Sequence, residues 1–374
     1  MAKTGIKGYR QEELLRAYFL RAGMYVARGI PLNFDGDDIS DVDLWLYERP
    51  TGSSRRRQII DIKSKIRPKA IERLFWTKGL LELLKVDGAY IATTDCRSVI
   101  KDISSKLGLS VIDGLDLKRI AESEKVWFTD RLNEEDIDEL IKAVDKSRKN
   151  KVLQSKFNDL KSTLIDNFGS GTVNRSLGHF LSFSQEFLTC HPNSNAAEIY
   201  LRLVYFSASI IAISLDFTLS KIPFKSNEEK RKAIHNVIRY GDEDNERGLE
   251  KARIAYALVE HYLPNGRAAS LSMKNAMEED YKKIPVEIIS DYILSNLKNE
   301  GLFRLAKSLE YQAYKDSLLG FDSLEIEEKS FLGVLMDFTG IEREKFANGW
   351  ISSPSDKIEE NIKIAENLKL GTLF

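Results

Sequence analysis

Two short stretches of this 374-residue chain hold residues whose types and spacing could do chemistry: DVDLWLY at 41–47 and QIIDIK at 58–63. Both alternate in the manner of a strand, which puts residues i and i+2 on one face. Asp61 and Lys63 therefore project together while Ile60 and Ile62 point into a core, and Asp41 and Asp43 share a face opposite Val42, Leu44 and Leu46. The intervening ERPTGSSRRR is rich in turn residues, so the strands read as a hairpin that brings Asp43 and Asp61 together beside Lys63. Two carboxylates and a lysine suit hydrolysis of a phosphodiester. That reaction needs a nucleophilic water at neutral pH and a place for the charge that builds on the phosphate. Mg²⁺ held by carboxylates supplies both, with Mn²⁺ as a substitute. Lys63 then orients the water or neutralises the charge, and the Ile62 carbonyl is a further metal ligand. The competing reading is a solvated hairpin face.

The elements around the hairpin must position these groups. Gln11 to Ala22 has helical spacing and ends at Gly23; MYVARGI is a short strand and NFDGDDIS a polar turn before the Asp-bearing strand. After Pro68 the segment KAIERLFWTKGLLELLKV is helical, GAYIATT is a buried strand, Ser98 to Leu107 a helix, LSVID a strand, and a helix opens near Leu115. The order α-β-β-β-α-β-α-β-α predicts an α/β domain with a mixed sheet flanked by helices over residues 1–122. Beyond about residue 124 only helical patterns appear. Residues 123–150 are expected to be a linker or helical connection, and 151–374 an all-helical domain of seven to nine helices that folds separately. Breaks are expected near His191-Pro192-Asn193, Pro223, Gly241 to Gly248, Pro264-Asn265-Gly266, Gly320 and Pro354.

The stretch from Gly8 to Ile120 resembles the Mrr-like and archaeal Holliday-junction-resolvase-like branch of the PD-(D/E)XK nucleases. Four pieces carry the resemblance in order: EELLRAYFLRAGMYVARG, DISDVDLWLY, IIDIKSK, and a β-α-β tail, DGAYIATTDCRSVIKDISSKLGLSVIDGLDL. It implies a restriction-endonuclease-like fold and a metal-dependent deoxyribonuclease. Asp43 takes the place of the first metal-binding Asp, with Asp41 the alternative. Asp61 takes the second acidic position, Lys63 the lysine, and Glu12 the helix-one glutamate, with Glu13 competing. Val42 stands where the motif name has Pro. Restriction-like or antiviral defence is the setting the family implies. The alternatives are a structure-specific repair or recombination nuclease and a catalytically silent nucleic-acid or protein-binding subunit.

Arg55, Arg56 and Arg57 at the hairpin turn, and Lys65, Arg67 and Lys69 after the DxK strand, are candidates to grip a DNA backbone. Trp76 is expected in the core, with Glu72 and Arg73 forming a surface ion pair. Arg175/His179 and Arg231/His235 carry no second centre on this reading. Net charge is −1, but residues 1–120 hold 22 Lys/Arg against 16 Asp/Glu, a balance of +6, and the remainder carries −7. Cys96 and Cys190 lack metal or disulfide spacing, and MAKTGIKGYRQEE has no apolar stretch behind it, so a reducing cytoplasm is expected. Leu203 to Leu215 reads as a buried helix rather than a membrane span. No GxxxxGK[ST] occurs, so any motor would be a separate ATPase subunit; self-association is the other partnership allowed for.

Overall fold

Gly23 marks where the first helix stops. Its φ of +90° is a conformation that suits a residue without Cβ. The Met24 N–H donates back to the Phe19 carbonyl at 3.1 Å, closing α1 (Lys3–Arg21). There follow β1 (Tyr25–Phe34), β2 (Asp37–Glu48), β3 (Arg56–Lys63), α2 (Ala70–Leu84), β4 (Gly88–Thr93), α3 (Ser98–Leu107), β5 (Ser110–Ile112) and α4 (Gly114–Ala121). The computed structural model describes residues 3–34, 37–63, 69–123, 125–149, 151–242, 248–297 and 301–352, with backbone alone for 3–9, 34 and 38. Lys65, Arg67, the expected break at Pro354 and the helical expectation for 353–374 lie outside the described residues.

The strands form one mixed sheet in the order β1-β2-β3-β4-β5. The first three are antiparallel, and β3, β4 and β5 run parallel with α2 and α3 as crossovers. The expected polar turn is shorter than NFDGDDIS: pairing continues past an irregularity at Leu32/Asn33 to Asn33↔Asp38 and Phe34↔Asp37, so Asp37 to Ser40 are strand. β2 pairs β3 from Glu48↔Arg56 to Leu44↔Ile60. Beyond that point β2 runs on against β1 alone, and the gap opens at Asp43.

One face of the sheet packs Leu44, Leu46, Ile60 and Ile62 against Leu15, Phe19 and Leu117 of α1 and α4. The other face does not end in its own helices. Tyr25, Trp45, Tyr47 and Ile59 belong to one continuous core with residues of the helical region. That region comprises α5 (Glu134–Arg148), α6 (Val152–Ser162), α7 (Ser170–Leu188), α8 (Asn195–Ser220), α9 (Asn227–Tyr240), α10 (Glu250–Tyr262), α11 (Gly266–Lys283), α12 (Val286–Asn296), α13 (Gly301–Tyr314), α14 (Ile326–Thr339) and α15 (Arg343–Asn348). Among the described residues after 124 these are eleven α-helices and no strand; ten of them lie beyond residue 150, more than the seven to nine expected there. The additional breaks fall at Asn167 and Gly169, both with positive φ, and at Pro285, the N-cap of α12.

α8 is long and apolar enough to cross a membrane, but 83% of its most apolar window is buried inside the fold. It lies against α7 and α13, as expected of a core helix. The sheet leans on it directly: the Tyr25 hydroxyl and Ser209 Oγ are 2.9 Å apart, and Tyr47 donates to Asp216 at 2.7 Å. The Trp45 ring meets Phe168 at 5.0 Å. A buried ion network repeats the join from the other side, since the Arg16 guanidinium of α1 reaches Glu310 at 3.2 Å and Glu134 at 3.5 Å. Residues 134–148 are thus a packed helix with Ile137, Ile141 and Val144 buried. The sheet and the helical region share one core, in which aromatic residues of β1 and β2 have their cover on α8 and its neighbours.

Candidate functional site

Where β2 and β3 part, Asp43 fills the gap: its Oδ2 accepts the Ile62 N–H at 2.5 Å, taking a hydrogen bond that a continuing β2 backbone would have made. Burial pushes the Asp43 carboxyl up to about 6. The Ile62 N–H holds it lower, nearby Glu12 raises it, and Lys63 and Arg73 lower it. Glu12, Lys63 and Arg73 therefore each lie within electrostatic reach of Asp43. Asp41 is exposed and pairs across from Pro31 of β1, so Asp43 is the acid aimed at β3. At Ile62 it is the N–H that meets Asp43.

A pH test follows directly. Between about 4 and 6 the folded chain holds the Asp43 proton while the unfolded chain, near the ordinary carboxyl value, has released it. The unfolded state then binds fewer protons, so this residue's contribution to stability falls as pH rises through that window. In metal-free protein Asp43→Asn should be more stable than wild type by about 3 kcal/mol at pH 8, with most of the gain gone near pH 4. Urea unfolding across pH measures it, and parallel curves for the two proteins would contradict it.

Asp61, expected to share a cavity with Asp43 beside Lys63, is engaged instead from the helix that follows β3. It is 5% exposed, and α2 covers it. Arg73 donates through Nε to Asp61 Oδ2 at 2.8 Å and through its other guanidinium arm to Oδ1. Arg73 is therefore not the surface partner of Glu72, which pairs with Lys69 at 3.0 Å. Nor is Trp76 core. The face that α2 buries is Ala70, Leu74, Thr77 and Leu80, so Trp76 turns outward, 38% exposed, with Arg73 5.5 Å above its ring. The signal for Arg73 was in the spacing: three residues after Ala70 and four before Thr77, it shares the covered side of the helix.

Both candidate glutamates of α1 are held by one cation. Arg28 of β1, 3% exposed, donates to Glu12 at 3.0 Å, Glu13 at 3.1 Å and Glu135 of α5 at 3.0 Å. A single Arg inside the apolar strand YVARGI is itself a sign of buried carboxylate partners. Glu12, and not Glu13, lines a cleft of about 620 Å³ together with Asp41 and Asp43. Its opposite wall is α5 and the start of α6, including Lys142, Lys146 and Lys151.

The hairpin arginines are placed differently from the expectation. Arg55 donates to both oxygens of Asp216 on α8 and to the Ser54 carbonyl at 2.9 Å. Arg57 donates to the Lys85 carbonyl at 2.6 Å and lies 5.0 Å over the Phe217 ring. These two fasten the turn to the body and do not present a phosphate grip. Arg56 remains exposed, 3.7 Å from Glu48, and Lys69 is exposed beside Glu72. His179 and Arg175 share Asp159, and His235 pairs with Ser290 at 2.9 Å. His191 stands in the turn between α7 and α8.

Divalent-metal chemistry is matched in donor kind but not in arrangement. Asp43, Asp61 and Glu12 are oxygen donors, yet Asp61 and Glu12 are engaged by guanidinium groups, and among the described residues no three His, Cys, Asp or Glu side chains converge on one point. Comparison of the chain with protein families, with curated proteins and with solved structures found no match.

Proposed function

We propose that this chain hydrolyses phosphodiester bonds in nucleic acid, DNA in the first instance, at the point where β2 and β3 part. The observation that carries the reading is Asp43: a largely buried carboxyl at a cleft, with its pKa raised to about 6 and Lys63 close enough to act on it. A carboxylate with that pKa is nearer than an ordinary one to the value best suited to taking a proton from water at neutral pH. Lys63 supplies the positive charge that a pentacovalent phosphate needs. The element order and the DVD and DIK strands support the same reading through the resemblance to PD-(D/E)XK nucleases. Mg²⁺ on Asp43, Asp61 and the Ile62 carbonyl would require Arg73 to leave Asp61.

The test is incubation of purified protein with linear, circular, single-stranded and branched DNA in Mg²⁺, Mn²⁺ or EDTA. Cutting that disappears in Lys63→Ala, with nucleic-acid binding kept, supports the reading. Cutting confined to branched substrates would favour the repair or recombination alternative. A second reading has an observation of its own: guanidinium groups on Asp61 and Glu12 are what a catalytically silent binding subunit would carry. Binding without cutting in every arm would favour it.

A further inference from the structure

The cleft beside Asp43 has a wall that comes from the helical region. Lys142 and Lys146 are one turn apart on the same side of α5, and Lys151 stands at the N-cap of α6, across from Glu12, Asp41 and Asp43. Several other charges of the cleft already have partners, and Asp138 of α5, which also lines it, lies within electrostatic reach of Lys142. Arg28 holds Glu12 and Glu135, Lys161 holds Glu134 at 2.9 Å, and Asp145 accepts the Leu153 and Gln154 N–H groups at 3.0 Å. The three lysines differ from these. All are exposed, and among the described residues none of them forms an ion pair. Arg55 and Arg57, the expected grip, are tied into the fold. Within the cleft, the exposed positive charge outside any ion pair among the described residues is therefore on α5 and α6.

We infer that Lys142, Lys146 and Lys151 bind the phosphate backbone of a single nucleic-acid strand and lead it past Asp43, which makes the helical region one side of the substrate site. The position of the scissile phosphate rests on the hydrolytic reading above. A single strand is the occupant that fits, because a cleft of about 620 Å³ is of the size that takes one small molecule, hence one or two nucleotides at a time. Lysines in a row act on phosphates as point charges and carry no sequence preference.

The full-length protein in EDTA, titrated with a labelled oligothymidylate and followed by fluorescence anisotropy at several salt concentrations, tests this apart from cleavage. K142E/K146E/K151E should bind at least about tenfold more weakly at 0.1 M salt. It should also flatten the slope of log affinity against log salt by about 2, at roughly 0.7 per lost contact on a single strand. The Lys→Gln triple variant should move the same way by less, and both should keep the helical circular dichroism and the melting temperature. Lysine-dependent binding by a protein that never cuts would uphold this inference and remove the hydrolytic reading. Unchanged affinity and slope in both variants would overturn it, as would wild-type protein that binds no single strand.

Discussion

Asp61→Ala is expected to lose cleavage and, in the same protein, to lower stability by about 2 to 3 kcal/mol. Read as a metal ligand and not a packing group, Asp61 could be removed with cleavage gone and the fold intact. The buried position of Asp61 under α2 changes that: removing it leaves the half-buried Arg73 guanidinium without its partner. Breaking a fully buried pair costs about 3 to 5 kcal/mol; Arg73 keeps 24% of its side chain exposed, so the lower figure applies. Arg73→Met should cost a similar amount by stranding Asp61, while Asp61→Ala/Arg73→Met should cost clearly less than the two single changes added together. Urea unfolding gives the stability cycle and a nicking assay gives the activity. Simple additivity would mean that the pair contributes no coupling, and wild-type cleavage by Asp61→Ala would move the active site elsewhere.

The element order α-β-β-β-α-β-α-β-α was legible because strands and helices differ in period, and α3 is observed at the expected Ser98–Leu107. Turn chemistry was legible where one residue decides it, as at Gly23. Long-range partners were not. Nothing local in SSRRRQ says that Arg55 meets a carboxylate 161 residues later, or that Trp45 and Tyr47 are covered by Phe168, Phe217 and Phe303. Alternation shows which residues share a face but not what covers it, so the strand itself holds no sign of Arg73 over Asp61. The lysines of α5 were equally hidden: on their helix they are an ordinary solvated face, and only the fold sets them across from Asp43.

The strongest test of the shared core is Asp216. It is 4% exposed on α8 and accepts hydrogen bonds from three groups of the β2–β3 hairpin: the Tyr47 hydroxyl at 2.7 Å, Arg49 at 3.3 Å and both arms of Arg55. Asp216→Ala would leave two guanidinium groups, each about 95% covered, with no carboxylate, along with a buried phenol without its acceptor. An uncompensated buried charge costs about 3 to 5 kcal/mol and an unmet buried hydroxyl about 1 to 3, with the terms overlapping because they share one acceptor. A loss of about 4 kcal/mol is expected, a large part of the roughly 5 to 15 that holds a protein folded. Asp216→Asn, which keeps acceptor geometry without the charge, should lose less. For the same reason a fragment of residues 1–122 should not fold alone, since it would expose Tyr25, Trp45 and Tyr47, each fully buried in the whole chain. Its far-ultraviolet circular dichroism should show no cooperative melt, and limited proteolysis of the intact protein should release no resistant front fragment. A cooperative, sheet-containing 1–122 fragment would show that α8 merely rests on the sheet, and the cost of Asp216→Ala should then be confined to the hairpin turn.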